Sequence, residues 1–179
     1  MRITGGALAG RKVHVPPGII RPAMDRMRES VFAVLGDLEG ASFLDLFSGS
    51  GVVALEAASR GAHPVEAVES DAGKRAVLLA NAQLAPQRLR CHFIPVERYV
   101  KRARAARFDR IFCDPPFPYK FKAQLLCAIA RSGLMDASSL LLIHRPARET
   151  FDEAALPLSL CDRRAYGRSV VDFYRLPPA

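Results

Sequence analysis

Long apolar runs are missing from this chain. The apolar stretches are short, Leu140 to Ile143 being typical, whereas a membrane-spanning helix needs about 18 apolar residues. The opening residues Met1-Arg2-Ile3-Thr4-Gly5-Gly6 lack the apolar core of a signal peptide, so a cytoplasmic location is expected. The four cysteines, Cys91, Cys113, Cys127 and Cys161, form no C-x-x-C pair. The four histidines, His14, His63, His92 and His144, form no H-x-x-x-H set. Zinc sites and disulfide frameworks use tighter or paired spacings. Neither a metal nor a disulfide is expected, and all four cysteines read as buried apolar side chains. Repeats, linkers and low-complexity segments are also missing. The 179 residues, half of them hydrophobic and a quarter charged, therefore read as one globular domain spanning 1–179.

Positive charge is present in excess, with a formal net charge of +8. It is clustered. The first 28 residues carry Arg2, Arg11, Lys12, Arg21, Arg26 and Arg28 against one acid, Asp25. A second group is Arg98, Lys101, Arg102, Arg104 and Arg107. Grouped cations favour a polyanionic partner, because each neutralised phosphate releases condensed counterions. A nucleic acid is the expected partner, and charge alone does not say which one.

Residues 1 to 20 alternate and are rich in glycine and proline, the pattern of a small β-hairpin arm. Arg21-Pro22 ends the arm, and Asp25 is a candidate N-cap for a helix reaching Leu35. Strand and helix patterns then alternate. Strands are expected at Ser42 to Phe47, Val65 to Val68, Cys91 to Val96, Phe108 to Cys113 and Ser139 to His144. Helices are expected at Val52 to Arg60, Ala72 to Leu84, Glu97 to Ala106 and Phe121 to Arg131. Two further strand patterns flank Tyr166-Gly167-Arg168. This order predicts an α/β doubly wound sandwich with a mostly parallel sheet and a reversed last strand.

In such sheets ligands bind beyond the C-terminal strand ends, where the strand order reverses. The first strand ends in Asp45-Leu46-Phe47-Ser48-Gly49-Ser50-Gly51. Two glycines let the backbone turn tightly and approach a ligand. The run Gly49-x-Gly51 loosely matches a dinucleotide fingerprint, but Asp45 would repel a pyrophosphate. A carboxylate there suits a ligand carrying an ammonium and a sulfonium, and S-adenosylmethionine carries both without a phosphate. Phe47, Gly49, Ser50 and Gly51 are the candidate cofactor loop. Glu69 closes the next strand and can accept hydrogen bonds from both ribose hydroxyls. Glu97, after the third strand, is a candidate for the adenine amino group.

The fourth strand ends in Asp114-Pro115-Pro116-Phe117. Adjacent prolines fix φ and cannot donate, so the Pro115 carbonyl can face a pocket. Asp114 adds a second acceptor. Together they can grip both hydrogens of an amine on a flat ring, a poor nucleophile until its lone pair is turned toward a donor. Phe117 can stack on the base, worth about 1–3 kcal/mol. Methyl transfer from a sulfonium needs alignment and a counter-charge more than a strong base, and Asp114 supplies that charge. No Ser-His-Asp or Cys-His constellation competes.

On these residues the chain resembles the RsmD-type 16S ribosomal RNA guanine-N2 methyltransferases, within the Rossmann-like methyltransferases. The likeness runs through Arg2-Ile3-Thr4-Gly5-Gly6, Gly10-Arg11-Lys12, Arg21-Pro22, Asp25-Arg26-x-Arg28-Glu29, the Asp45–Gly51 loop, Leu55-Glu56-Ala57, Ser59-Arg60-Gly61-Ala62, Glu69, Asn81, Asp114–Phe117 and Tyr166-Gly167. The resemblance implies a seven-stranded methyltransferase sheet and S-adenosyl-L-methionine as cofactor. It implies methylation of a guanine N2, the base usually numbered 966, in 16S ribosomal RNA of the small subunit or its precursor. A monomer is expected. It implies cofactor contacts from Asp45, Gly49, Gly51 and Glu69, and base contacts from Asp114 to Phe117. Arg2, Arg11, Lys12, Arg21, Arg26 and Arg28 are candidates for the RNA. Four positions depart from the family pattern: Ala23, Met27, Phe117 and His144. We read His144, where the family often has Glu, as a satisfied or solvent-facing histidine. Two alternatives share these motifs: an adenine-N6 methyltransferase of RNA or DNA, and a non-catalytic RNA-binding assembly factor.

Overall fold

The computed structural model describes residues 1–15, 22–103 and 106–178. Five strands run parallel: β1 (Phe43–Leu46), β2 (Val65–Val68), β3 (Leu89–His92), β4 (Arg110–Cys113) and β5 (Leu140–Pro146). A terminal hairpin adds β6 (Ser159–Tyr166) and β7 (Ser169–Arg175), with β7 antiparallel to both β5 and β6. The sheet order is β3-β2-β1-β4-β5-β7-β6. The order reverses between β1 and β4, which opens a crevice at their C-terminal ends.

Each inner strand is buried on both faces, as a parallel sheet covered by helices requires. Phe43 and Leu44 show how. Phe43 joins one core cluster with Met27, Val31 and Phe32 of α1 (Pro22–Leu35), Ala54 and Ala57 of α2 (Val52–Ser59) and Leu78 of α3 (Arg75–Ala82). Leu44 joins the other, with Val96 and Val100 of α4 (Val96–Arg102) and Leu125 and Ile129 of α5 (Lys122–Arg131). The period of two along the strand thus separates two layers of helices.

Several boundaries differ from expectation. Helix α1 begins at Pro22, with Asp25 inside its first turn and not at the cap. Proline is favoured at the first helical position, and an acid in the first turn suits the helix dipole. The helix expected from Ala72 opens as a 3₁₀ turn, Ala72–Lys74, which Asp71 caps by accepting the Gly73 N–H at 2.9 Å. Strand β3 lies at Leu89–His92, earlier than expected, because its register pairs Leu89 with Val65. Pro95 falls just before α4 instead. Among the described residues of the arm, Arg2 and Lys12 form one antiparallel bridge around a 3₁₀ turn at Gly6–Leu8; residues 16–20 of the expected hairpin lie outside the described residues. Of the four cysteines expected to be buried only Cys113 is; Cys91 and Cys127 are half-buried, and Cys161 is exposed on the edge strand β6.

Candidate active site

The loop after β1 is tied on every side. Ser48 donates its N–H to Val68 O at 3.0 Å and its hydroxyl to Asp45 O at 2.7 Å. Gly51 donates to Ser48 O at 2.7 Å. Phe47 has φ 63°, uncommon for a bulky residue. Such strain costs about 1–3 kcal/mol and persists where surrounding contacts over-determine it. Gly51, at φ 76°, caps α2 without a side chain. A Cβ on Gly51 would lie 2.4 Å from Leu78 Cδ1, so the turn requires glycine there.

Three carboxylates gather around this loop. Asp45 is 1% exposed, and one of its oxygens accepts the Ala54 N–H at 3.1 Å. Burial pushes its carboxyl well above the usual carboxylate range. The Ala54 bond opposes that rise, and the nearby charges of Asp114 and Glu69 add to it. Glu69, at the end of β2, accepts from Gly49 N–H and from Asp71 N–H, each at 2.8 Å. The acid at the second strand end therefore touches the glycine loop directly. Asp114, at the end of β4, donates its N–H to Leu46 O at 3.1 Å, which binds it to the base of the same loop.

Pro115 is buried, while Pro116 and Phe117 are exposed. The segment that follows is pinned by a residue that no sequence motif singles out. Lys122 is 1% exposed. Its ammonium donates to Phe117 O at 3.0 Å and to Tyr119 O at 2.6 Å, and pairs with Glu149 at 2.9 Å. The only sequence signal was a lysine in an otherwise apolar helical face. Tyr119 packs edge-on against Phe47 with centroids 5.4 Å apart and donates its hydroxyl to Glu97 at 2.5 Å. Desolvation and Glu97 push the Tyr119 hydroxyl well above its ordinary pKa. Glu97 is exposed, in the first turn of α4, and joins the site through Tyr119.

His144 is not solvent-facing: it is buried, and of its two ring nitrogens Nδ1 has a partner. It is 5% exposed. Its Nδ1 lies 2.8 Å from Asp114 Oδ1, and its Nε2 is buried without a partner among the described residues. The β4–β5 register, Cys113 beside Ile143, would have placed these two side by side.

The arm is fastened to α2 and α3. Glu56 of α2, fully buried, accepts from Thr4 N at 2.9 Å, Thr4 Oγ1 at 2.6 Å and Arg60 at 3.0 Å. Asn81 of α3 exchanges hydrogen bonds with the His14 backbone at 3.0 and 2.7 Å and donates to Ser50 O at 2.8 Å. Asn81 therefore joins arm and glycine loop. Arg2, Arg11, Lys12 and Arg26 are exposed. Arg28 is not: it is 3% exposed, pairs with Asp25 at 3.1 Å and Glu56 at 3.2 Å, and donates to Arg2 O at 2.6 Å. Its guanidinium is spent inside the protein, which removes it from the RNA-facing set. Arg21 lies outside the described residues, as does Arg104 of the second basic cluster. Arg98, Lys101, Arg102 and Arg107 are exposed.

Two surface cavities lie off this centre. One of about 680 Å³ follows the α3–β3 connection. The other, about 850 Å³ between α4 and α5, meets the site only through Glu97 and Tyr119. Neither is lined by Asp45, Glu69 or Asp114. The candidate site is identified by the carboxylates that converge at the switch point. Among the described residues no three His, Cys, Asp or Glu side chains gather as a metal site.

The same architecture recurs in known proteins. The "Ribosomal RNA small subunit methyltransferase D" of Escherichia coli K12 is 28% identical over 98% of this chain and 89% of its own. The solved "Putative methyltransferase yhhF" from Escherichia coli superposes with a TM-score of 0.86 at 28% identity, covering 98% of this chain and 97% of that one. Hypothetical protein TTHA0928 of Thermus thermophilus gives 0.84 at 31% identity, covering 98% and 99%. Strand order and the reversed β7 are those of a Rossmann-like methyltransferase fold. The family model described as conserved hypothetical protein 95 matches residues 1–175, and the chain belongs to that family.

Proposed function

We propose that this chain is an S-adenosylmethionine-dependent methyltransferase acting on the exocyclic N2 of a guanine in 16S ribosomal RNA, the base usually numbered 966. Its substrate is the small subunit or a precursor of it, in the cytoplasm, and the enzyme works as a monomer. The observation that carries the reading is the Asp114 N–H bonded to Leu46 O. It puts the amine-gripping acid beside the loop that Asp45 and Glu69 flank. The small-subunit relative supports the choice of substrate by its name.

The donor set fits the cofactor. Asp45 is buried with its charged form disfavoured, and a cationic ligand relieves that penalty. Glu69 accepts one N–H per oxygen, and a carboxylate has lone pairs left for two ribose hydroxyls. When bound, the cofactor supplies an activated methyl on a sulfonium. The protein aligns and stabilises. Asp114 and the Pro115 carbonyl hold the amine hydrogens, Phe117 fixes the plane of the base, and Asp114 offsets the positive charge that develops on nitrogen. The exposed cations Arg2, Arg11, Lys12 and Arg26 meet RNA phosphates.

The test is methyl transfer from labelled cofactor to small subunits of cells lacking this protein, with the modified nucleotide mapped by mass. Label on guanine N2 at one position is expected. Label on adenine N6 would move the assignment to that class. Cofactor binding with no transfer to any RNA would leave an assembly role.

A further inference from the structure

Strands β4 and β5 are parallel and in register, Cys113 opposite Ile143, so Asp114 and His144 leave the sheet as neighbours. The imidazole Nδ1 is 2.8 Å from Asp114 Oδ1, and the ring stands edge-on to Phe117 with centroids 5.4 Å apart. One ring therefore touches both groups expected to hold the target base, the acid at its amine and the aromatic on its face. No other hydrogen bond reaches the Asp114 carboxylate among the described residues.

We propose that His144 is a positioning residue for methyl transfer. Its Nδ1–H donates to Asp114 Oδ1, sets the angle of the carboxylate, and leaves Oδ2 turned to the amine. The inference rests on the reading of Asp114 as the amine clamp. An ionised carboxylate only accepts, so the shared hydrogen belongs to Nδ1. Nε2 is buried without a partner among the described residues, and a proton there would be an unsatisfied buried donor. The Nδ1–H tautomer leaves only a lone pair at that position. In this tautomer the imidazole brings no positive charge. Asp114 keeps its full negative charge for the nitrogen as the methyl arrives.

The experiment compares the parent with Asp114→Ala, His144→Leu and His144→Gln, all as full chains with small subunits as substrate. Asp114→Ala tests the clamp reading alone: unchanged turnover there would overturn that reading. For His144→Leu, kcat is expected to fall on the order of tenfold to a hundredfold, the range associated with misplacing a catalytic group. The cofactor Kd and the KM for subunits should change little. His144→Gln keeps an N–H donor and should restore most of kcat. Parent-like kcat in His144→Leu, with Asp114→Ala inactive, would overturn the positioning role and leave the clamp intact. Equal losses in the Leu and Gln variants would overturn it as well. A measurement on the parent needs no variant: nitrogen NMR of histidine-labelled protein should show the Nδ1–H tautomer for His144, and an Nε2–H tautomer would refute the proposal.

Discussion

At the residue scale, the site is a set of acids in unequal environments. Asp114 keeps part of its side chain in solvent, 24% of it, whereas Asp45 is sealed. Their substitutions should therefore fail differently. Asp114→Ala should lower turnover by two or more orders of magnitude with cofactor binding largely kept, since it removes the proposed contact to the reacting amine; isothermal calorimetry beside a transfer assay separates the two. Asp45 makes the opposite prediction for stability. Its folded pKa is raised, so its contribution to stability is full below the unfolded value of about 3.9 and is lost as pH rises through the folded value. Asp45→Asn keeps an acceptor for Ala54 and removes that loss. The variant without ligand should melt above the parent near neutral pH. The difference should vanish near pH 4, and the variant should bind S-adenosylmethionine more weakly. A melting curve parallel to the parent's at every pH would contradict the burial argument.

At the element scale, two buried side chains each hold a whole segment. Lys122 fastens the loop after β4 to α5 through two carbonyls and Glu149. Lys122→Met should destabilise the fold by about 2–3 kcal/mol, because buried acceptors lose their donor. Denaturant unfolding reads the loss, and turnover should fall with it while cofactor affinity holds. Glu56 fastens the arm and neutralises Arg28. Glu56→Ala leaves the buried Arg28 guanidinium with only Asp25 and the Arg2 carbonyl, frees Thr4 of the arm, and should cost about 3 kcal/mol. Sequence patterning located the helices that carry both residues and gave neither its role. A lysine or glutamate within a helix reads the same whether its head reaches water or a buried carbonyl. Strand β3 shows a related limit: its apolar residues suggested Cys91 to Val96, and only pairing with β2 moved it to Leu89–His92.

At the scale of the whole molecule, positive charge is divided between surface and interior. Arg11 and Lys12 sit exposed on the arm, whereas Arg28 is enclosed by Asp25, Glu56 and the Arg2 carbonyl. Replacing Arg11 and Lys12 by Ala should flatten the dependence of RNA affinity on salt by about 0.7 in the log–log slope for each phosphate no longer neutralised. Arg28→Ala should lower stability and leave that slope unchanged. A salt titration of binding, run on both variants, checks the division.

The alternation of strand and helix patterns, Gly49-x-Gly51 after one strand and Asp-Pro-Pro-Phe after another was enough to reach the doubly wound fold and the central acids. Local chemistry dictates these features: glycine where φ is positive, proline where no donor is needed, apolar residues at the period of each element. The tertiary structure alone decided which polar side chains meet. Arg28 with Glu56 spans 28 positions, His144 with Asp114 spans 30, and the Asn81 bond to His14 spans 67. Such pairings depend on strand register and on helices crossing the sheet, and no periodicity in the chain encodes a distance between residues that far apart.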